Sequence, residues 1–128
     1  AEDEKNYKQK TEALAKQYSS YTVGNENING NLTLGENIAD LGGVTVVLEI
    51  TEREAPNDLK EFFQSYAVIW RNLVTKERAS HLIKIDPHSP GRYRVNGVLT
   101  NLDEFYKIYN IQENDKMYIK PEDRIRIW

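Results

Sequence analysis

The stretch that decides the fold is NGNLTLGENIADLGG, residues 29–43. It opens with asparagine and glycine, which interrupt regular structure, and then places Thr33 three residues before Glu36. Threonine and glutamate at this spacing form the capping-box pattern, so Thr33 is predicted to start a helix and Glu36 to cap it in return. The helix is predicted to continue through Ile38 and Leu41.

The next stretch, VTVVLEI at residues 44–50, is ambiguous by local propensity. Valine, threonine and isoleucine favour strands, so propensity alone predicts extended structure there. A buried continuation of the preceding helix is the alternative, and a resemblance described below favours it.

Hydrophobic periodicity predicts the remaining elements. A first helix is indicated by a stripe made of Tyr7, Thr11, Leu14, Tyr18 and Tyr21, and it ends before the Asn- and Gly-rich residues 24–31. The strongest helical period follows Pro56 and comprises Leu59, Phe62, Phe63, Tyr66, Ile69, Trp70 and Leu73. A short helix is predicted for residues 76–85, an extended segment for 93–99, and a last helix, capped by Thr100 or Asn101, that turns Leu102, Phe105, Tyr106 and Tyr109 inward.

Composition and charge exclude several functional classes. The net charge is −3 with both signs interspersed, which is not the basic footprint of a nucleic-acid-binding protein. No run of 18 apolar residues predicts a membrane span, and the first ten residues lack the apolar core of a signal peptide. The chain has no cysteine, which excludes a disulfide framework, thiolate metal ligands and a cysteine nucleophile.

Glu36 and Asp40 form the first candidate site. They are four residues apart on the predicted helix, so both carboxylates project from one face. One could bind a metal while the other hydrogen-bonds and orients a neighbouring ligand. The alternative, which spacing alone favours, is that Glu36 only caps the helix and Asp40 is only solvated.

A second candidate lies in the segment that carries Asp86, His88, Arg92 and Arg94. Pro87 and Pro90 stiffen the loop around His88, and an acid two residues before a histidine can fix its tautomer. An oriented imidazole beside a guanidinium could hold a developing oxyanion. A solvated surface turn is the alternative.

Two further residues are predicted to have structural roles. His81, the other histidine, lies in the predicted helix between Ser80 and Leu82 and has no second histidine at metal-ligand spacing. Trp128 is predicted to anchor the C-terminus.

These motifs together resemble the neprilysin family of zinc metalloendopeptidases, family M13. Residues 29–43 look like its NGxxTLGENIADxGG signature. Three further blocks keep the family order. They are FFQSYA at residues 62–67 followed by Trp70, DPHSPGRYRVNG at residues 86–97, and the closing Arg-Ile-Trp at residues 126–128. The resemblance covers roughly residues 12–128.

The resemblance implies a mainly α fold, the helical C-terminal part of a zincin (thermolysin-like) catalytic domain with ordered loops and little sheet. It also implies that residues 44–50 are helical. By the same resemblance, Glu36 is a zinc ligand and Asp40 bonds a zinc-binding histidine or donates a proton. His88 stabilises the tetrahedral intermediate.

The resemblance assigns roles to two more residues of the second candidate. Arg94 holds the substrate carbonyl, and Asp86 orients the histidine.

The departures from the family pattern define what this chain contains. The HExxH motif, with two zinc-binding histidines and the catalytic glutamate, is absent, so residues 1–128 are interpreted as a C-terminal fragment of the catalytic domain. Extracellular members typically have disulfides here, and the positions that look equivalent are Ala13, Arg71 and Ile125. This favours a bacterial enzyme, with a cytoplasmic location expected and export or a cell-surface location as the alternative.

The expected function is therefore zinc-dependent hydrolysis of oligopeptides by an intact enzyme whose partners are peptide substrates and the rest of its own catalytic domain. The isolated chain is expected to lack peptidase activity and a tight zinc site, because three protein ligands are the usual minimum. Its face around Ile38 and Leu41 is expected to be exposed, and to be covered by self-association or by the first helix. The alternative function is a non-catalytic binding or interaction module.

Overall fold

The computed structural model describes residues 1–127, and this part of the chain forms six α-helices and one short hairpin. The helices are α1 (Glu2–Ser19), α2 (Leu34–Glu54), α3 (Leu59–Ile69), α4 (Lys76–Ile85), α5 (Gly91–Leu99) and α6 (Asp103–Tyr109). The antiparallel strands β1 (Thr22–Val23) and β2 (Glu26–Asn27) follow α1, and single 3-10 turns lie at Pro56–Asp58 and Pro121–Asp123. The prediction of a mainly α fold with little sheet is confirmed.

The hydrophobic core lies between α1, α2, α3, α5 and α6, with the C-terminal segment packed on it. Leu14 and Tyr18 of α1 are among its most buried side chains, and Phe63 of α3 meets Phe105 of α6 edge to face at 5.8 Å. Helix α4 is tied to the hairpin instead, through an ion pair of 2.9 Å between Lys84 and Glu26. Within residues 1–127, no helix has the length and apolar character needed to cross a membrane.

Helix α2 runs without a break through residues 44–50, as the family resemblance implied and local propensity did not. Leu41, Val44 and Leu48 are buried at helical spacing, so tertiary packing outweighs the small helix penalty of β-branched residues. Thr45 is also accommodated within the helix, because its hydroxyl donates to the carbonyl of Leu41 at 2.7 Å.

Thr33 does occupy the position that starts α2, but the predicted capping box is wrong. Its hydroxyl donates to the carbonyl of Asn29 at 3.3 Å and accepts a bond from the Asn37 amide at 2.9 Å, rather than capping the first turn. The Glu36 carboxylate is thus available for contacts outside its own helix.

The prediction of an extended segment at residues 93–99 is wrong, because these residues belong to α5. Alternating Tyr93, Val95 and Leu99 suggested a strand, but Val95, Val98 and Leu99 are buried together on one side of a helix. Gly97 allows α5 to approach α1, since a β-carbon there would lie 2.6 Å from the Tyr18 ring.

Two predicted helices end earlier than their hydrophobic period suggested. Helix α3 ends at Ile69, and Leu73 is fully exposed rather than inward-facing. It stops where the Trp70 carbonyl packs against Gly91. A β-carbon added to Gly91 would lie 2.3 Å from that carbonyl oxygen. Helix α1 ends at Ser19, so Tyr21 lies beyond it and stacks on Tyr93 at 4.5 Å.

The last helix is present, but its predicted caps are wrong. Leu102 precedes α6, while Thr100 donates to the carbonyl of Met117 and the fully buried Asn101 accepts a bond from the Ile125 amide at 2.9 Å. These bonds attach the C-terminal segment to the core. The anchoring role predicted for Trp128 falls outside the described residues.

Candidate active site

The predicted site residues lie on three neighbouring parts of the fold. Glu36 and Asp40 project from the first two turns of α2, His88 lies in the loop at residues 86–90, and Arg94 lies one turn into α5. We call residues 86–90 the histidine loop. The packing of α5 against α2 brings these side chains together although about fifty residues separate them in sequence.

Within the histidine loop, Asp86 orients His88. One carboxylate oxygen, Oδ1, accepts from the backbone N–H of His88 at 2.9 Å and lies 2.8 Å from the imidazole Nδ1. The backbone N–H and then the imidazole lower the pKa of the Asp86 carboxyl below its usual range. The contact with Asp86 places the proton on Nδ1 and directs Nε2 out of the loop.

The imidazole of His88 faces helix α2. Its Nε2 lies 3.4 Å from Oε2 of Glu36, and the two side chains are 47% and 42% exposed. A carboxylate and an imidazole therefore meet at the surface, where a ligand can reach both.

Arg94 is held on α2 by a two-point bond to Asp40. Nε and Nη2 of the guanidinium donate to the two carboxylate oxygens, each at 2.7 Å, and both side chains are largely buried. The Asp40 carboxylate raises the pKa of the Arg94 guanidinium above its usual range, so the arginine is charged at any pH at which the protein folds. The two bonds leave Nη1 for a further acceptor.

Two aromatic residues hold the arginine from its other sides. The Trp70 ring lies 3.7 Å from the guanidinium carbon, a cation–π contact, and the Tyr66 hydroxyl donates to the Arg94 carbonyl at 3.0 Å. Burial, and then the charge of Asp40, raise the pKa of the Tyr66 hydroxyl, so it remains a donor. Sequence reasoning assigned both aromatics to the core because their helical spacing does not distinguish packing from contact with a cation.

A hollow of about 210 Å³ has both His88 and Arg94 in its wall. Trp70, Val74 and Pro90 contribute apolar surface to the same hollow. An imidazole and a guanidinium that face one partly apolar hollow can bind a carbonyl oxygen of a ligand.

A second, more apolar groove adjoins Asp40. It lies between α2 and α3, has a volume of about 420 Å³, and its wall includes Gly43, Val47, Phe62 and Ile69. We call it the α2–α3 groove. Asp40 is the charged residue in its wall, so an occupant would meet apolar surface with one carboxylate at the end.

The exposed face of α2 is not the one that sequence reasoning expected. Leu41 is only 3% exposed and Ile38 packs against the core, because this side of α2 faces the other helices of the bundle. The exposed side has an apolar stripe formed by Ala39, Gly43, Val46, Val47 and Ile50. Nor does α1 cover this stripe, because α1 packs on the core side of the helix.

Asn37 and Ser89, neither of them a sequence candidate, connect the two halves of the site. Both are buried, and the Ser89 hydroxyl donates to the Asn37 side-chain oxygen at 2.8 Å. The available signal was an asparagine in the midst of an apolar helical pattern, since a buried amide requires partners.

Two residues near the predicted site lie apart from it. His81 is exposed on α4, and Arg92 is exposed beside the ring of Tyr93. Among residues 1–127 there is no group of three or more His, Cys, Asp or Glu side chains placed to hold a metal ion. Glu36 is thus one candidate oxygen ligand and not a complete site.

Comparisons with known proteins find matches along almost the whole chain. The family model described as Peptidase family M13 matches residues 1–125. The chain is 46% identical over 100 residues to a neutral endopeptidase of Lactococcus lactis subsp. lactis, covering 78% of this chain and 16% of that protein. It is 35% identical over 135 residues to an endothelin-converting enzyme homolog of Locusta migratoria, covering 95% and 18%.

Solved structures give the same picture. The zinc metalloprotease Zmp1 of Mycobacterium tuberculosis, solved with an inhibitor, superposes with a TM-score of 0.88 at 33% identity, over 97% of this chain and 22% of that one. PepO of Lactobacillus rhamnosis has a TM-score of 0.88 at 32% identity, over 95% and 20%. The chain therefore spans about a fifth of the length of the proteins that it matches.

Proposed function

This chain belongs to peptidase family M13, and we propose that it is the C-terminal part of the catalytic domain of a zinc metalloendopeptidase that hydrolyses oligopeptides. The observation that carries the proposal is that His88 meets Glu36 at 3.4 Å and shares the wall of one hollow with Arg94, which is itself paired with Asp40. These are the residues that match the family signature, and they come from segments far apart in sequence.

Glu36 fits the role of one zinc ligand. Its carboxylate is part-exposed, is not engaged in capping its helix, and faces the imidazole of His88. A catalytic zinc site usually has three protein ligands, so the other two would come from outside these residues, as the two histidines of an HExxH helix. Zinc bound there would supply Lewis-acid polarisation of the scissile carbonyl.

His88 and Arg94 would act on the substrate carbonyl. His88, with its Nε2 directed outward by Asp86, would in its doubly protonated form donate from Nε2–H to the negatively charged oxygen that develops from the carbonyl. Arg94 would bind a substrate carbonyl through Nη1, because Asp40 occupies its Nε and Nη2. The Asp40 oxygens can each accept a second bond, so the carboxylate can also orient a zinc-binding histidine that enters from the α2–α3 groove.

The rest of the catalytic domain is the partner that we propose for the apolar stripe. Val46, Val47 and Ile50 are each about half exposed, and Val47 shares the wall of the α2–α3 groove with Asp40. An amphipathic helix that carries a histidine would bury this surface and bring the histidine to the carboxylate. Without that helix, we propose that two copies of the chain associate through the stripe. A cytoplasmic location in a bacterium remains a prediction.

The test compares this chain with the longer polypeptide obtained by following its reading frame upstream of Ala1. We expect the longer polypeptide to contain HExxH, bind zinc and cleave a quenched peptide in a chelator-sensitive way, and the 128-residue chain to do neither. Glu36→Gln should abolish tight zinc binding, because it removes the charge of one of the three protein ligands. Glu49→Gln, an exposed carboxylate on the same helix, is the matched control and should leave zinc binding unchanged.

Two results would contradict the proposal. Chelator-sensitive cleavage by the 128-residue chain alone would show that the other zinc ligands are not needed. A longer polypeptide that neither contains HExxH nor hydrolyses peptides would favour the non-catalytic binding module.

A further inference from the structure

A buried chain of hydrogen bonds runs from the histidine loop into the start of α2. The Ser89 hydroxyl donates to Oδ1 of Asn37 at 2.8 Å, and the Asn37 amide donates to the Thr33 hydroxyl at 2.9 Å. Thr33 in turn donates to the carbonyl of Asn29 at 3.3 Å. The side chains of Asn37, Thr33 and Ser89 are 0%, 2% and 4% exposed, so water does not compete for these bonds.

The chain of bonds has a fixed direction. The Thr33 proton goes to a backbone carbonyl, so its oxygen accepts from the amide nitrogen, and the amide oxygen is left to accept from Ser89. An asparagine satisfies both neighbours without a charge. A buried aspartate would add a charge, and an apolar residue would leave the Ser89 hydroxyl without its acceptor and the Thr33 oxygen without its donor.

The two residues that form the Ser89–Asn37 hydrogen bond are adjacent in sequence to His88 and Glu36, whose side chains face each other. Asn37 follows Glu36, and Ser89 follows His88. A shift of the Ser89 backbone relative to Asn37 would therefore move the imidazole relative to the carboxylate.

The other contacts near the site differ from this bond. The His88–Glu36 pair also joins the histidine loop to α2, but at 3.4 Å and with both side chains exposed to water. Asp86 orients the imidazole only within the loop that both residues share. The Arg94–Asp40 bond joins α5 to α2 one turn further along the helix. In the part of the chain that the structure describes, Ser89–Asn37 is the one side-chain hydrogen bond between the histidine loop and α2.

We propose that Asn37 is a positioning residue: through Ser89 it fixes the histidine loop on α2, so that the His88 imidazole keeps its place opposite Glu36. Its catalytic consequence rests on the function proposed above for His88, but the positioning itself is a property of this chain and can be measured without any activity.

The direct test is nuclear Overhauser contact between the ring protons of His88 and the side-chain protons of Glu36 in the 128-residue chain. We expect this contact in the wild type and its loss in Ser89→Ala and in Asn37→Ala. Ser89→Ala removes a single hydroxyl and decides the question even where Asn37→Ala does not fold.

Asn101→Ala is the matched control, because Asn101 is also 0% exposed and its amide is also fully hydrogen-bonded, but in the α5–α6 region away from His88. It should retain the contact. Persistence of the contact in Ser89→Ala would overturn the proposal. Its loss in Asn101→Ala as well would also overturn it, since the effect would then reflect general loosening.

A second test measures the effect of Ser89→Ala on catalysis by the longer polypeptide. Ser89→Ala should lower kcat by about tenfold or more with a smaller change in KM, because the misplaced group acts in the transition state. An unchanged kcat would show that the position of His88 on α2 does not matter for catalysis. If the wild-type longer polypeptide is itself inactive, the proposed function fails while the Overhauser contact still decides whether Asn37 positions the loop.

Discussion

At the scale of single residues, the Asp40–Arg94 pair combines a structural and a chemical role. The side chains are 10% and 14% exposed, so each charge depends on the other for the contacts that water would otherwise supply. The Trp70 ring covers one face of the guanidinium and excludes water further. A substitution that removes one partner leaves the other charge partly buried and alone.

Arg94→Ala should therefore destabilise the chain by about 2 to 3 kcal/mol, measured by urea unfolding at pH 7. Adding Asp40→Ala to this variant should cost little or restore stability, because the unpaired carboxylate is then gone. Arg53→Ala is the control, since its pair with Glu54 is exposed on both sides and should contribute almost nothing. Equal effects at both arginines would contradict the role assigned to burial.

Asp86 gives the histidine loop a dependence on pH. Hydrogen bonds from His88 lower the pKa of this carboxyl in the folded chain, so the folded state binds its proton less readily than the unfolded state. The stabilisation is present above the unfolded pKa of about 4 and is lost as the pH falls through the lower folded value. Asp86 is part-exposed, so the effect should be under about 1 kcal/mol.

The measurement is the difference in unfolding free energy between the wild type and Asp86→Asn as a function of pH. We expect the wild type to be more stable at pH 6 and the difference to disappear as the solution is acidified to about pH 2. A carbon-13 titration of the Asp86 carboxyl gives its folded pKa directly. A difference that does not change with pH would contradict the assignment.

At the scale of elements, two glycines illustrate opposite reasons for the same residue. Gly91 begins α5 against the carbonyl of Trp70, and a β-carbon there would lie 2.3 Å from that oxygen. Gly43 lies within α2 with nothing within 4 Å of where a β-carbon would be. The first glycine sets how closely α5, and with it the histidine loop, approaches the end of α3, whereas the second serves no contact in this chain.

Gly91→Ala should cost roughly 1 to 3 kcal/mol, because backbone atoms must move apart. Gly43→Ala should instead stabilise the isolated chain by up to about 1 kcal/mol, since alanine favours a helix interior. Thermal unfolding of the two variants beside the wild type measures both. A tolerated Gly91→Ala would show that α5 can shift without cost, and with it the position of His88.

At the scale of the whole molecule, one side of the helical bundle buries its apolar side chains and the other side leaves them exposed. Apolar surface lies beside the α2–α3 groove. It is formed by the stripe on α2 and by the exposed Val68, Ile69 and Leu73 around the end of α3. Stable monomers seldom expose such continuous surface, which is consistent with a chain that covers only part of its relatives.

Val47→Lys tests this surface. In the 128-residue chain the side chain is 49% exposed, so the substitution should change stability by less than about 0.5 kcal/mol. It should also reduce any self-association seen by analytical ultracentrifugation. In the longer polypeptide the same lysine should impair folding and activity, because it would be buried against the neighbouring helix.

Glu49→Lys, on another side of α2, is the control and should be tolerated in both. Equal tolerance of Val47→Lys in the longer polypeptide would show that the stripe is not an internal surface.

The sequence by itself determined most of the helices and the family. Hydrophobic period placed α1, α3, α4 and α6, since each buries one side and the pattern of that side is local. The motif from residue 29 to residue 43 singled out Glu36 and Asp40, and the one at residues 86–97 singled out His88 and Arg94, because both motifs resemble the family signature.

The tertiary structure decided what depends on partners far along the chain. Residues 44–50 and 93–99 are helical because of what they pack against, although their own propensity and alternation favour strands. The capping box does not form because Thr33 bonds Asn37 and Glu36 turns toward His88. Arg94 lies on Asp40 and Ser89 on Asn37 across more than fifty residues, and a contact between such distant segments leaves no local pattern from which it could be read.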